Sequence, residues 1–298
     1  MIARAPFVIL ALLLCAAAAA GAAVRGRPAT LAVLDLGASE TGGRVAEHLA
    51  KRLAGAGGAT RVVVLDRGLA RSAARGVGYA GSLNLTLAEA RDLGAAVGCD
   101  FYLTGDAQVV RRSSSARPVY FEAYATLFLV SARTGRLVSW ARPAAEADAP
   151  ERAEAALFAL LDGGETARLL SSIAAARAAE AAGPQPRGGE AGEDLLDLTS
   201  GETFEGLREP APYSRRRPAY TEAASRAEAE ATVDVEVEIG ADGRVGRIRV
   251  VRWAGFGLDE EVEATVGRMS FRPATVGGEP RPSRVLLRYN FRRPPPEK

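Results

Sequence analysis

The clearest pattern in the chain lies near its end, where aliphatic and acidic residues alternate over 233–239. This two-residue period predicts a strand with one buried face. Asp242-Gly243 follows and favours a two-residue hairpin turn, because both positions of that turn need a positive φ. Counting back from the turn predicts these cross-strand pairs: Glu238 with Arg247, Glu236 with Arg249, Val237 with Ile248, and Val235 with Val250. Opposite charges would then meet on the wet face and aliphatic residues on the core face.

A helix and a third strand are predicted to complete this module. The helix presents a stripe of apolar residues at helical spacing: Leu258, Val262, Val266 and Met269. Pro273 ends the helical pattern, and Arg284 to Phe291 alternates again as a strand. The predicted order is strand, strand, helix, strand. A single helix on a three-stranded sheet leaves an edge strand open, and such an edge can accept a peptide by strand addition.

These residues resemble the TonB C-terminal domain family. The resemblance rests on Pro218-Ala219-Tyr220, Ile239-Gly240-Ala241-Asp242-Gly243-Arg244-Val245, Leu258-Asp259-Glu260, Phe271-Arg272-Pro273-Ala274 and Phe291. The family is periplasmic; its best-known members carry inner-membrane energy to outer-membrane transporters, and some bind peptidoglycan. The resemblance and the open edge together predict partner-binding residues in the last strand: Arg284, Val285, Leu286, Leu287, Arg288 and Tyr289.

The beginning of the chain predicts export. Arg4 precedes an apolar run from Phe7 to Cys15, and Ala20-Gly21-Ala22 is a small-residue cleavage site, so residues 1–23 are predicted to form a signal peptide. An uncleaved N-terminal anchor and a lipoprotein attached at Cys15 are the alternatives. The energy-transducing relatives carry a functional histidine in their membrane helix, whereas the only histidine here, His48, lies outside the apolar run.

Residues 28–173 are predicted to form a separate domain in which strands and helices alternate, a mixed α/β sandwich. Within it, Thr86 and Glu89 form a capping box, and Pro150 opens a later helix. The domain resembles the periplasmic group of the curli-assembly protein CsgG, the TolB N-terminal domain and the lipoprotein activators of penicillin-binding proteins. The residues that carry this resemblance are Ala32-Val33-Leu34-Asp35-Leu36, Leu65-Asp66-Arg67, Leu93-Gly94, Gly98-Cys99-Asp100-Phe101, Leu103-Thr104-Gly105-Asp106 and Thr134-Gly135-Arg136-Leu137. It implies a scaffold role at the cell envelope.

A flexible linker is predicted over residues 174–215, between this domain and the C-terminal module at 216–293. Its middle is rich in glycine and proline and cannot form a packed core. Glu193 to Leu198 alternates acids with leucines, which fits either a short docking motif or a local hydrophobic contact.

The candidate chemistry does not favour an enzyme. Asp35, Asp66, Asp100 and Asp106 lie near predicted strand ends, where α/β folds place active groups, but they equally suit turn capping. A lone histidine gives no metal or nucleophile motif, so no catalytic residue, metal or cofactor is predicted. A net charge of +2 argues against nucleic-acid binding.

The sequence therefore predicts an α+β and α/β protein that is a non-enzymatic periplasmic binding and adaptor protein. Its C-terminal domain would bind an outer-membrane receptor, another envelope protein segment or peptidoglycan. A membrane-anchored energy transducer for transport across the outer membrane is the alternative. The sequence is also compatible with self-association into a homo-oligomer.

Overall fold

The computed structural model describes residues 27–56, 62–183, 195–201, 203 and 205–293. The predicted signal peptide and the central part of the predicted linker, residues 184–194, lie outside these ranges. Helices and strands are both abundant, and the predicted α+β architecture is confirmed.

A mixed sheet forms the centre of the first half. Its strands are β1 (Ala29–Leu36), β2 (Val62–Val64), β3 (Phe101–Arg112), β4 (Tyr120–Ser131), β5 (Leu137–Ala141) and β6 (Ala144–Ala147). They run in the order β2–β1–β3–β4–β5, and β6 also pairs with β4. Strand β1 is parallel to both of its neighbours, and the remaining pairs are antiparallel.

Helices cover both faces of this sheet. They are α1 (Glu40–Gly55), α2 (Arg67–Gly76), α3 (Leu87–Val97), α4 (Pro150–Leu160) and α5 (Thr166–Ala181), the last two joined by a π-helical turn, Leu161–Glu165. The capping box of Thr86 and Glu89 at the start of α3 is confirmed, as is Pro150 in the first turn of α4. Helices α1, α4 and α5 bury one sheet face, and α2 and α3 lie on the other.

The second half is a small sheet with one main helix. Its elements are β7 (Leu196–Asp197), β8 (Leu207–Arg208), β9 (Ala211–Pro212), α6 (Glu222–Ala227), β10 (Ala231–Ile239), β11 (Val245–Arg252), α7 (Leu258–Gly267), β12 (Phe271–Arg272), β13 (Ala274–Val276), β14 (Glu279–Arg281) and β15 (Ser283–Phe291). The main sheet has the order β11–β10–β15–β7. The predicted apolar stripe is buried: Leu258, Val262 and Val266 of α7 are 0% exposed, and Met269, which lies just after the helix ends at Gly267, is 8% exposed.

One hydrophobic core joins the two halves. Tyr102 and Phe128 of the first sheet belong to the same buried cluster as Val235 of β10 and Trp253 after β11. The second half therefore packs on the sheet face that carries α2 and α3, and apolar burial of this kind is the main stabilising contribution to such a contact.

No helix within the described ranges is long and apolar enough to span a bilayer. The apolar run from Phe7 to Cys15 and the expected cleavage site lie outside those ranges.

Candidate functional site

The six residues predicted to bind a partner lie in one strand at the edge of the C-terminal sheet. Strand β15 pairs antiparallel with β10 without a register shift, from Ala231 opposite Phe291 to Ile239 opposite Ser283. Its side chains alternate between the two faces of the sheet. Val285, Leu287 and Tyr289 are half-buried and pack against the core, whereas Arg284, Leu286 and Arg288 occupy the opposite, wetter face.

The outer side of β15 is open along most of its length. The carbonyls of Pro282 and Arg284 face this side, because they accept hydrogen bonds from a neighbouring segment there. Since the backbone groups of an edge strand alternate in direction, those of Leu286, Arg288 and Asn290 face the same way. In the part of the chain that the structure describes, no strand pairs with this stretch. The Leu286 side chain beside it is 41% exposed.

Strand β7 covers only the beginning of that edge. Leu196 lies opposite Ser283 and Asp197 opposite Arg284, in parallel orientation. The predicted linker thus holds strands β7, β8 and β9 after residue 195, and all three pair with strands of the C-terminal half.

The wet face of β15 carries arginines held by acidic side chains. Arg288 donates from Nε to Asp234 Oδ1 over 2.7 Å and from Nη2 to Oδ2 over 3.0 Å. Arg252 Nε adds a third bond to Asp234, at 3.3 Å. Asp234 is only 3% exposed, so two cations compensate one buried carboxylate. Arg284 Nη2 donates to Glu238 over 3.0 Å, and this bond raises the pKa of the guanidinium.

The hairpin of β10 and β11 follows the predicted register over three pairs. Val235 faces Val250, Glu236 faces Arg249 and Val237 faces Ile248, as predicted. A shift beyond Val237 makes the fourth prediction wrong: Glu238 bonds Arg284 of β15 instead of Arg247.

The predicted two-residue turn is also wrong. Gly243 N–H donates to the Gly240 carbonyl over 2.9 Å, which places Ala241 and Asp242 at the centre of the turn and Gly243 after them at φ +77°. A Cβ on Gly243 would lie 1.9 Å from the Phe271 carbonyl oxygen. The glycine is therefore required both by its backbone conformation and by the close approach of β12.

The loop after β11 attaches the C-terminal half to the first sheet. Trp253 is 2% exposed and donates from Nε1 to the Gly135 carbonyl over 3.0 Å. The ring of Phe256 lies 5.4 Å from that of Phe128 and 5.6 Å from that of Trp140. Phe256 adopts a φ of +57°, which costs about 1–2 kcal/mol for a residue with a side chain, so the surrounding packing must hold it.

Asn84 fixes the same junction by hydrogen bonds. Its Nδ2 donates to the carbonyls of Thr232 and Trp253 over 2.8 and 2.7 Å, and its Oδ1 accepts from Thr232 N–H over 2.9 Å. Neither Asn84 nor this junction is predicted from the sequence. The available signal was Trp253-Ala254-Gly255-Phe256, two aromatic residues in a loop that directly follows a strand.

Asp259 at the start of α7 holds the junction loop in place. Its two carboxylate oxygens accept from the N–H groups of Ala254 and Gly255, each over 2.8 Å. Burial raises the pKa of Asp259 to about 6, even though these two donors favour the charged form.

The aspartates considered as catalytic candidates all have local partners. Asp66 caps α2 by accepting from Leu69 N–H over 2.8 Å, and Asp100 accepts from a backbone N–H of β1 over 2.8 Å. Asp35 lies 3.3 Å from an arginine, and Asp106 accepts from a tyrosine hydroxyl over 2.8 Å. No cluster of three or more histidine, cysteine, aspartate or glutamate side chains that could hold a metal occurs among the described residues.

In comparison with known proteins, part of the C-terminal half matches one protein-family model. Residues 216–292 match the family model of the Gram-negative bacterial TonB protein C-terminal. Members of this family are cell-envelope associated, are generally non-enzymatic and generally interact with outer-membrane receptors. The match lies within the C-terminal half and shows that this part of the chain is TonB-like.

Two solved structures are also similar. The solution NMR structure of the Pseudomonas aeruginosa TonB CTD matches at 19% identity, over 35% of this chain and 98% of that one, with a TM-score of 0.26. The hypothetical protein CT253 from Chlamydia trachomatis matches at 9% identity, over 48% and 99%, with a TM-score of 0.32. No curated protein matches this chain.

Proposed function

We propose that this protein is a periplasmic adaptor that binds an extended segment of an outer-membrane partner at the outer edge of β15. The observation that carries the proposal is the edge itself: β15 is paired with β10 along its inner side, while Leu286 to Asn290 have no strand beside them among the described residues. A partner strand would satisfy these backbone groups and extend the sheet, which is how exposed edges recognise extended peptides.

The side chains next to the edge support the same binding mode. Leu286 offers exposed apolar surface beside the free backbone groups. Arg284 and Arg288 flank it, and both are held in place by acidic partners within the sheet. An edge with ordered flanking side chains loses less conformational entropy when a strand binds than a disordered one would.

The N-terminal half would act as the scaffold that holds this edge at the envelope. The scaffold role is the one that the sequence resemblance to the CsgG and TolB group implies, and no catalytic function is proposed for this half. A membrane-anchored energy transducer is the second candidate, supported by the match to the TonB C-terminal family. N-terminal sequencing of the protein from cells distinguishes the two, because a mature chain that has lost Met1 to Ala22 could not be anchored by that segment.

Photo-crosslinking in cells tests the binding edge. A photoreactive amino acid at Asn290, on the edge, should capture an outer-membrane protein, whereas the same residue at Leu69, which is 73% exposed on α2, should not. Leu286→Pro removes an edge N–H without affecting the bonds to β10, and edge strands tolerate proline on their solvent side. Leu286→Thr is the matched control, because it keeps the N–H and shortens the side chain.

Capture at Asn290 should persist in Leu286→Thr and fall at least tenfold in Leu286→Pro. Equal capture in the two variants would overturn strand addition. Sedimentation with purified peptidoglycan is run in parallel. Binding that is equal in both variants and unaccompanied by protein capture would replace the protein partner with the cell-wall polymer.

A further inference from the structure

A short segment of this chain already binds the beginning of the partner edge. Leu196 N–H donates to the Pro282 carbonyl over 3.0 Å, and Leu198 N–H donates to the Arg284 carbonyl over 2.9 Å. The two strands run parallel. Leu196 to Leu198 thus makes the backbone contacts that a bound strand would make.

The side chains of this segment match the two faces of the sheet. Leu196 and Leu198 are half-buried and Asp197 between them is exposed, the alternation of a strand with one apolar face. Asp197 Oδ2 lies 3.2 Å from Nη1 of Arg284, across the strand pair. The edge therefore accepts an apolar–acidic–apolar segment whose acidic side chain pairs with Arg284.

A turn ends the segment directly after this contact. Asp197 Oδ1 accepts from the N–H of Thr199 over 3.0 Å and from its hydroxyl over 2.6 Å. The chain leaves the edge here and does not continue beside Leu286. The remaining stretch, Leu286 to Asn290, spans about 16 Å at the rise of an extended strand. A bound strand longer than about five residues would meet Leu198.

We infer that Leu196 to Leu198 is an internal competitor for the partner edge, and that the partner strand is of the same class: parallel to β15, with an acidic side chain opposite Arg284 between two apolar residues. The inference rests on the proposed strand addition, since it assigns the partner class and the regulation of that site. Because the internal strand is part of the same chain, it competes at an effective concentration on the order of millimolar. A long partner strand binds only after displacing it.

The inference can be tested without knowing the partner. The probe is a fluorescein-labelled peptide of residues 195–201, Leu-Leu-Asp-Leu-Thr-Ser-Gly, titrated by anisotropy into the full mature chain. In the double variant Leu196→Pro/Leu198→Pro, both donor N–H groups of the internal strand are absent. The peptide should then bind at least tenfold tighter than to the unmodified protein, because two hydrogen bonds no longer compete. A peptide carrying Asp197→Arg should bind at least tenfold more weakly than the native peptide.

A second variant keeps the inference testable if the double proline variant does not fold. Asp197→Ala changes an exposed side chain and should raise the amide exchange rates of Leu196 and Leu198 at least tenfold while those of Val235 and Val237 in β10 stay unchanged. Equal peptide binding to the unmodified chain and the double variant, or binding to neither, would overturn the internal competitor. If the peptide binds as expected but capture at Asn290 is insensitive to Leu286→Pro, the internal competitor is supported and the proposed partner edge is wrong.

Discussion

Replacing Asn84 by alanine should destabilise the junction between the two halves more than replacing an exposed asparagine by alanine. The side chain makes three hydrogen bonds to backbone groups 148 and 169 residues away, and all three are lost at once. A hydrogen bond contributes about 1 kcal/mol to stability, so we expect a loss of about 3 kcal/mol, or roughly two decades in the equilibrium constant for opening.

The chain carries its own reporters for this experiment. It has two tryptophans, Trp140 and Trp253, and both lie at the junction, within 6 Å of a phenylalanine ring. Urea denaturation followed by tryptophan fluorescence therefore reports the junction, whereas far-ultraviolet circular dichroism reports all helices and strands. In Asn84→Ala the fluorescence transition should move to lower urea and precede the dichroism transition.

Asn290→Ala is the matched control. Asn290 also bonds Thr232, through one exposed contact of 2.8 Å between side chains, but it does not connect the two halves. Its replacement should cost less than about 1 kcal/mol and leave the two transitions together. If Asn84→Ala and Asn290→Ala shift the fluorescence midpoint equally, the junction does not depend on Asn84.

Three further substitutions test the C-terminal half by urea denaturation. The folded pKa of Asp259, about 6, lies above its ordinary value, so the unfolding free energy should fall by about 3 kcal/mol as the pH rises from 4 through 6 and the carboxyl ionises. Asp259→Asn should remove this fall. An unchanged pH profile in the variant would contradict the raised pKa. Asp234→Ala should cost about 2–3 kcal/mol because a buried carboxylate loses three hydrogen bonds from two arginines. Glu236→Ala should cost less than about 1 kcal/mol, because the Glu236 carboxylate is more exposed and pairs with Arg249; similar costs would refute the difference. Gly243→Ala should cost at least about 2 kcal/mol more than Gly278→Ala, because both glycines have positive φ but only the first would clash; equal costs would refute the close approach.

The local elements could be predicted from sequence because their signals lie within a few residues. The capping box at Thr86 and Glu89 needs only a three-residue spacing, and three pairs of the β10–β11 hairpin follow from alternation and charge. Helix α2 gives no such signal, because its buried face consists of two alanines, Ala70 and Ala74, and it therefore shows no stripe of large apolar residues.

The features set by distant contacts could not be predicted. The tip of the hairpin depends on the approach of Phe271, which no spacing around Gly243 encodes. The partner of Glu238 lies on β15, 46 residues away, rather than across the hairpin. The edge was predicted as open because a three-stranded order implies it, but its partial cover by Leu196 to Leu198 depends on where the preceding chain returns.

The covered and uncovered parts of the C-terminal sheet bear directly on its function. An exposed edge strand tends to pair with other chains, so proteins usually block it. Here the end of β11 meets the first half, where Arg252 pairs with Thr86 and Trp253 N–H donates to the Leu85 carbonyl, and the start of β15 meets its own chain at Leu196. The stretch from Leu286 to Asn290 has no such cover among the described residues, and it carries neither a proline nor a bulge. Because an uncovered edge favours aggregation, its retention directly beside the covered start of β15 is better explained by binding than by folding.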